Sequence, residues 1–493
     1  MTNRKRAGVA AGLGIGAAAA AALRRRRGDR RREPQEIPGT TAGADAAGAA
    51  FLDHLAEAVR IPTVVYEESD RTDTAAFDRF HEFLWTTFPR TFGELHPEVV
   101  AGHTLLLRWD GSDPAVAPVL LMAHMDVVPV EPGTEGDWEH PPFSAERDGE
   151  FLWGRGAVDD KGSLVALLEA VEGLLSEGFE PDATLYLVLG HDEEIGGGEG
   201  ARAAAALLAE RGVSVEFVLD EGGAVVEDLL PGVRTPVALL GIGEKGYVNV
   251  EISASDAGGH SSTPPPSTAV GRVAAAVAAL EADPMPARLS AQEGLFAVIG
   301  RVVPGLQGAV LRRAGRFGSL VERKLAARPQ SNALIRTTAA VTMVSGGVKP
   351  NVLPQHASAI VNFRVLPGDS FADVLDHVRR VAGPEVTVRP LPGGFTAEPS
   401  PLSDTTSAGY RLIADTIADT FGGVEVAPWI LMGATDSRHF IPVADNVYRF
   451  APFTMTPEDM GRVHGTGERL RLADAGRAVA FYTTLVRRAC GTV

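Results

Sequence analysis

Cysteine is nearly missing from this 493-residue chain: the single one, Cys490, lies three residues from the end. One thiol closes no disulfide within the chain and builds no thiolate-rich metal site, and it leaves the redox compartment unread. Any bound metal must therefore be held by histidine, aspartate and glutamate, donors that suit zinc, manganese or cobalt. Positive charge is scarce outside one end. The formal net charge is −17, and the first 32 residues hold ten Lys/Arg against one acid, Asp29, so that tail is +9 and the remainder −26. Without clustered Lys/Arg, a body this acidic is a poor partner for nucleic acid, whereas bound divalent cations would offset part of it. Long apolar runs are lacking too, apart from the uncharged 17-residue stretch Ala7–Leu23, rich in Ala and Gly. It is either a weak membrane anchor or a disordered, removable or soluble tail. The larger arginine group follows it, which would keep the body cytoplasmic or membrane-associated rather than exported.

What is present is an ordinary globular composition, 45% hydrophobic and 22% charged, over a length that predicts two domains. Residues 46–59 form an amphipathic pattern, with Phe51, Leu52, Leu55 and Val59 on one stripe and Asp45 placed as its N-cap. Three apolar runs, Val119–Met122, Leu185–Leu189 and Val215–Leu219, suit buried parallel strands, with helical patterns at 163–175 and 201–210 between them. This is a βαβ succession: an α/β fold with a mostly parallel sheet flanked by helices. After Gly241 the texture changes. Two helices (270–280, 372–381) and about four strand-like segments (248–252, 336–344, 357–365, 386–389) read as an antiparallel α+β insertion. From about Leu391 the pattern is α/β again, with helices at 408–421 and 473–486. The expected organisation is a basic tail (1–40), a split catalytic domain (41–241 plus 391–493) and an inserted lid or dimerisation domain (242–390).

The chemistry gathers at strand ends. Ala123-His124-Met125-Asp126 follows the first run, Gly190-His191-Asp192-Glu193-Glu194 the second and Asp220-Glu221-Gly222-Gly223 the third, while Asp159-Asp160-Lys161-Gly162 opens the helix between the first two. In open α/β sheets, ligands bind at the carboxyl ends of the strands. An acid at a strand end often merely caps the next helix, and a lone His is usually structural. Coincidence at three strands and one helix start points instead to a shared site, where crowded carboxylates call for cations.

These segments resemble the co-catalytic zinc metallopeptidases of the aminoacylase, carboxypeptidase and succinyl-diaminopimelate desuccinylase family over about 45–490. The closest likeness is to its carboxypeptidase S and N-fatty-acyl-amino-acid hydrolase/synthase branch. It rests on Leu121-Met-Ala-His-Met-Asp-Val-Val-Pro129, Trp138-Glu-His-Pro-Pro-Phe-Ser144, Gly190-His-Asp-Glu-Glu194, Val218-Leu-Asp-Glu-Gly-Gly223 and Val463-His-Gly465. The resemblance implies two Zn²⁺ per chain, with Co²⁺ or Mn²⁺ able to substitute. One ion would be held by His124, Asp159 and Asp220, the other by Asp159, Glu194 and His464, with Asp159 bridging. It implies Glu193 as general base, Asp126 as the carboxylate orienting the His124 imidazole, and His260 in Gly258-Gly259-His260-Ser261-Ser262 as donor to the developing oxyanion. Asn351, Arg364 and the Gly433 loop would recognise the substrate carboxylate. A mid-strand Arg such as Arg364 otherwise pairs with an acidic neighbour.

The implied activity is zinc-dependent cleavage of an amide next to a free carboxylate, as a carboxypeptidase, dipeptidase or N-acyl-amino-acid hydrolase. A biosynthetic deacetylase or desuccinylase on the same site is the alternative reaction. An aminopeptidase is disfavoured by Arg364 and Asn351, and a non-catalytic binding protein by the full set of ligands with Glu193. The implied partners are a small N-acyl amino acid or dipeptide, a second copy of the chain through the lid, and weak membrane contact by residues 7–23. Extra material at about 294–328, with Arg312, Arg313, Arg316, Arg323 and Lys324, either covers the dimer surface or shapes the acyl pocket.

Overall fold

Burial on both faces is what makes a parallel strand read as an unbroken apolar run, and the three expected runs behave so. In the computed structural model every residue of Val119–His124 and Leu185–Gly190 is buried, and all but one of Val215–Asp220. The structure describes residues 42–228, 235–393 and 395–491; the basic tail and the Ala7–Leu23 run lie outside them. Among the described residues no helix is long and apolar enough to cross a membrane.

The protein is a mixed α/β fold around a ten-stranded sheet, counted among the described residues. Val119–His124 sits between Leu185–Gly190 and Val215–Asp220, parallel to both, and Ala444–Arg449 extends the parallel set beyond Val215–Asp220. Thr104–Trp109, which carries no clear alternation, adds an antiparallel neighbour to Leu185–Gly190. One face is covered by the helices Ala42–Arg60, Lys161–Ser176, Ala408–Thr420 and Ala475–Cys490, the other by Gly200–Glu210 and the 3-10 turn Asp436–Val443. The first helix starts at Ala42, so Asp45 lies inside it rather than capping it. The parallel neighbours bring three carboxyl ends to one edge, as the crossover rule requires.

A second, four-stranded sheet is antiparallel throughout, in the order Thr338–Gly346, His356–Val365, Gly246–Ser255, Thr387–Pro390. Helices Ala269–Ala282 and Phe371–Ala382 cover one face through Val250, Ile252, Val361 and Phe363. Between Ala269–Ala282 and Thr338–Gly346 comes a run of short helices, including Glu293–Val302 and Gly318–Leu325. Leu295, Val298 and Ile299 bury against Val237, Leu239 and Ala427 of the large sheet, and Arg301 pairs with Glu425 at 2.6 Å. By their contacts, residues Thr40–Val493 form one unit.

Candidate metal centre and active site

His124 is the last residue of its strand and 1% exposed. Its Nδ1 lies 3.1 Å from the Asp126 main-chain carbonyl. A carbonyl only accepts, so Nδ1 carries a proton and Nε2 is the nitrogen turned to the cluster. Nε2 lies 3.1 Å from Asp159 Oδ1. The other oxygen of Asp159 faces His464 Nε2 at 2.9 Å, and the same Nε2 is 3.0 Å from Glu194 Oε2. Donor atoms converge in two groups sharing one carboxylate: His124, Asp159 and Glu221, and Asp159, Glu194 and His464.

The electrostatics of this cluster are unbalanced. Burial, together with neighbouring carboxylates, pushes Glu193 and Glu221 well above the usual carboxylate range and Glu194 up to about 7. The Asp159 and Glu194 carboxylates raise His464 to about 11. Asp159 is half-buried, and against the desolvation the two imidazoles hold it below its ordinary value. Imidazoles that need a proton to face these carboxylates, with excess acid around them, form a donor set in which a divalent cation can replace the protons. The N/O donor sets fit zinc, manganese or cobalt.

Asp220 and Glu221 stand side by side at the end of the third strand. The Asp220 Oδ2 accepts the Ser437 N–H at 2.8 Å, and Glu221 instead meets His124 and Asp159. Asp126 is fully buried, and besides its carbonyl contact to His124 its Oδ2 accepts the Glu194 N–H at 3.0 Å. It therefore touches both metal groups' supports.

Two buried groups that the sequence reading passed over shape the Asp159 loop. Glu468 accepts from the main-chain N–H of Gly156, Val158 and Asp159 and from Arg155 Nη1 at 2.8 to 3.1 Å. Lys161, whose ammonium burial pulls down to about 7, donates to the carbonyls of Ala58 and Ile61. His464 has φ of 59°, left-handed for a side-chain-bearing residue, a conformation that surrounding structure must hold in place.

The remaining expected residues are more dispersed. His260 and Asn351 come together: Gly259–His260 pairs with Val352–Leu353, and the Ser261 N–H donates to the Asn351 carbonyl. Both are exposed, and the His260 imidazole bonds Ser262 rather than the metal groups. Arg364 stands opposite Tyr247 on the adjacent strand, its guanidinium 4.6 Å from that ring's centre, with no carboxylate ion pair among the described residues. Gly433 is exposed in a loop with open space at its α-carbon. A cleft of about 360 Å³ opens beside His464, lined by Tyr66, Arg71, Val130, Trp138 and Arg155 among others.

The profile of Peptidase family M20/M25/M40 matches residues 120–488. The chain is 39% identical over 441 residues to a probable carboxypeptidase S-like 2 of Dictyostelium discoideum, covering 89% of this chain and 84% of that protein. It is 37% identical over 446 residues to the N-fatty-acyl-amino acid synthase/hydrolase PM20D1 of Homo sapiens, covering 89% and 88%. Among solved structures it resembles the M20 family metallo-carboxypeptidase Sso-CP2 from Sulfolobus solfataricus, at a TM-score of 0.64 and 18% identity over 89% of this chain and 99% of that one. Human carnosine dipeptidase 1 superposes at a TM-score of 0.58 and 16% identity, covering 91% and 97%.

Proposed function

This chain belongs to peptidase family M20/M25/M40 and is a metal-dependent amide hydrolase, and from that premise we propose that it cleaves the amide joining an acyl group to an amino acid with a free carboxylate. Two zinc ions, replaceable by cobalt or manganese, would be held by His124, Asp159 and Glu221 and by Asp159, Glu194 and His464. The observation that carries this reading is the shared Asp159, each of whose oxygens faces a different imidazole. Bound divalent cations supply Lewis acidity toward the carbonyl and ease the ionisation of water.

The protein's own groups do the rest. Glu193, half-buried beside the cluster, takes the proton of the attacking water and returns it to the departing nitrogen. Asp126 holds the His124 ring and the Glu194 main chain in register. Arg364, half-buried and without an acidic partner among the described residues, takes the substrate carboxylate in a two-point contact. The cleft beside His464 takes the acyl group. The names of the relatives favour N-fatty-acyl amino acids or C-terminal peptide bonds as substrates.

Residues 242–390 act in this reading as a lid that also pairs two copies. Its edge strand exposes Met343 and Val344 at 65% and 72%, and Val348 just beyond at 97%. An apolar open edge of this kind invites pairing. In such a homodimer the exposed His260 and Asn351 serve the partner's site, His260 donating to the oxyanion. The test is hydrolysis of N-oleoyl-phenylalanine, N-acetyl-methionine, Gly-Leu, succinyl-diaminopimelate and leucine p-nitroanilide after metal removal and zinc re-addition. Zinc-restored cleavage of one of the first three is expected. Cleavage of leucine p-nitroanilide alone would make it an aminopeptidase, and cleavage of succinyl-diaminopimelate alone a biosynthetic desuccinylase.

A further inference from the structure

Away from the metal centre, the second sheet holds a cavity of its own. It measures about 180 Å³ and lies between the end of helix Ala269–Ala282, the short helix Pro329–Ile335 and the strand Thr338–Gly346. It shares no lining residue with the cleft beside His464. Leu280, Met285 and Phe363 give it apolar walls, each at most 5% exposed. Arg336 lines it as well and is 8% exposed. The Arg336 Nη1 donates to the Met285 carbonyl at 2.8 Å, and its Nη2 lies 3.5 Å from the Glu322 carboxylate. Its Nε is buried and has no partner among the described residues, and the same holds for Oδ1 of Asn332, another lining residue. Glu281 stands exposed at the cavity, with no ion pair among the described residues.

A buried polar atom without a partner is uncommon and costs free energy. Two of opposite kind, a guanidinium N–H and an amide oxygen, belong to residues lining this one cavity, and an unpaired carboxylate stands beside them. A ligand that answers all three offers an anionic acceptor to Arg336 and a cationic N–H donor to Asn332 and Glu281. It also brings an apolar group to the Leu280, Met285 and Phe363 walls. His377, which borders the cavity too, is already engaged by the Asp283 carbonyl and by Arg380. We propose that the cavity binds one free amino acid with an apolar side chain, its carboxylate on Arg336 and its ammonium on Asn332 and Glu281. Size points the same way. The volume equals about six waters at ~30 Å³ each, well below the roughly 300 Å³ and upward of pockets for larger ligands. The ligand's chemistry follows from the cavity alone. Only its likeness to the amino acid released in the proposed reaction rests on that reading.

Calorimetric titration of the zinc-loaded full chain tests this. The chain carries Glu193→Gln and Arg364→Met, which stop turnover and remove the active-site contact for carboxylates. L-Leucine is expected to bind with a Kd of about 0.1–1 mM. Leucine amide lacks the carboxylate and N-acetyl-leucine the ammonium, and each is expected to bind about tenfold more weakly. L-Glutamate is expected to do the same, because the apolar walls leave its side chain unpaired. Asn332→Leu is expected to weaken L-leucine about tenfold, and Glu281→Gln about threefold, as for an exposed charge pair. Glu281 is exposed, so its variant reads the site even if Asn332→Leu does not fold. A cavity that holds water only, with no leucine bound, overturns the proposal. Leucine binding left unmoved by Glu281→Gln and Asn332→Leu puts the ligand at the metal ions and overturns it too. So does equal binding of leucine amide and N-acetyl-leucine. Hydrolysis by the wild type is read apart from these titrations: its absence removes the proposed function and leaves this site standing.

Discussion

At the residue scale, the sharpest question is which of two adjacent acids carries the metal. Asp220 is bonded to the Ser437 N–H and Glu221 reaches His124 and Asp159. Glu221→Gln is therefore expected to lower bound metal from two ions to about one per chain by elemental analysis, whereas Asp220→Asn keeps two and weakens metal affinity about tenfold through the moved support. Two-ion binding by the Glu221 variant would return the ligand role to Asp220. Glu193→Gln is expected to keep both metals and lose about 10²- to 10⁴-fold in kcat; near-normal turnover would end its assignment as base. The convergence of His124, Asp159 and Glu194 was legible in the sequence because each stands at a strand end or helix start, where topology dictates convergence. The choice between 220 and 221 was not, because it turns on how the chain bends just past the strand end at Asp220. Glu468 was invisible for another reason: its role is to accept main-chain N–H groups from residues more than 300 positions away, and a lone acid between Gly467 and Arg469 gives no local sign of that.

At the scale of elements, the strands of the large sheet were readable because burial on both faces leaves an apolar run. Short or irregular strands such as Glu425–Leu431, interrupted by Pro428, were not. That strand adjoins a buried network in which Glu244, 1% exposed, accepts from Arg449, Arg438 and Thr435. Glu244 joins the end of Val237–Glu244 to the 433–438 loop, so its loss strands two guanidiniums. Glu244→Ala is expected to cost about 3–5 kcal/mol of stability in denaturant unfolding. Burial opposes ionisation of Glu244, but the two arginines hold its carboxyl below its ordinary value. A depressed carboxylate contributes stability that is complete above the unfolded value near 4.5 and is lost as pH falls through the folded one. The wild type should therefore lose stability below about pH 4.5 more steeply than the Glu244→Ala variant, read as the difference between their acid melting curves.

At the scale of the molecule, the proposed dimer turns on the edge strand Thr338–Gly346. Val344→Arg, at a residue 72% exposed, is expected to yield monomers by light scattering with intact circular dichroism, because a charge on an open edge blocks pairing. If His260 serves the partner's site, that monomer should also lose at least tenfold in kcat. A fully active monomer would place His260 in its own chain's site. The helices of 293–335 were the least legible part of the sequence, because nothing in a charged, short-helix stretch says which distant surface it will cover.

Their placement reaches beyond packing. A chain that leaves the second sheet, docks Leu295, Val298 and Ile299 on the large sheet and pairs Arg301 with Glu425 before returning has threaded the two sheets together. Melting one would strip apolar cover from the other, so the two should denature as a single transition, with calorimetric and van't Hoff enthalpies in agreement. The same tether joins the two sheets at a second place besides the Tyr247–Ala397 crossing, so cutting it by Arg301→Ala with Leu295→Ala is expected to raise proteolytic nicking of the 293–335 segment.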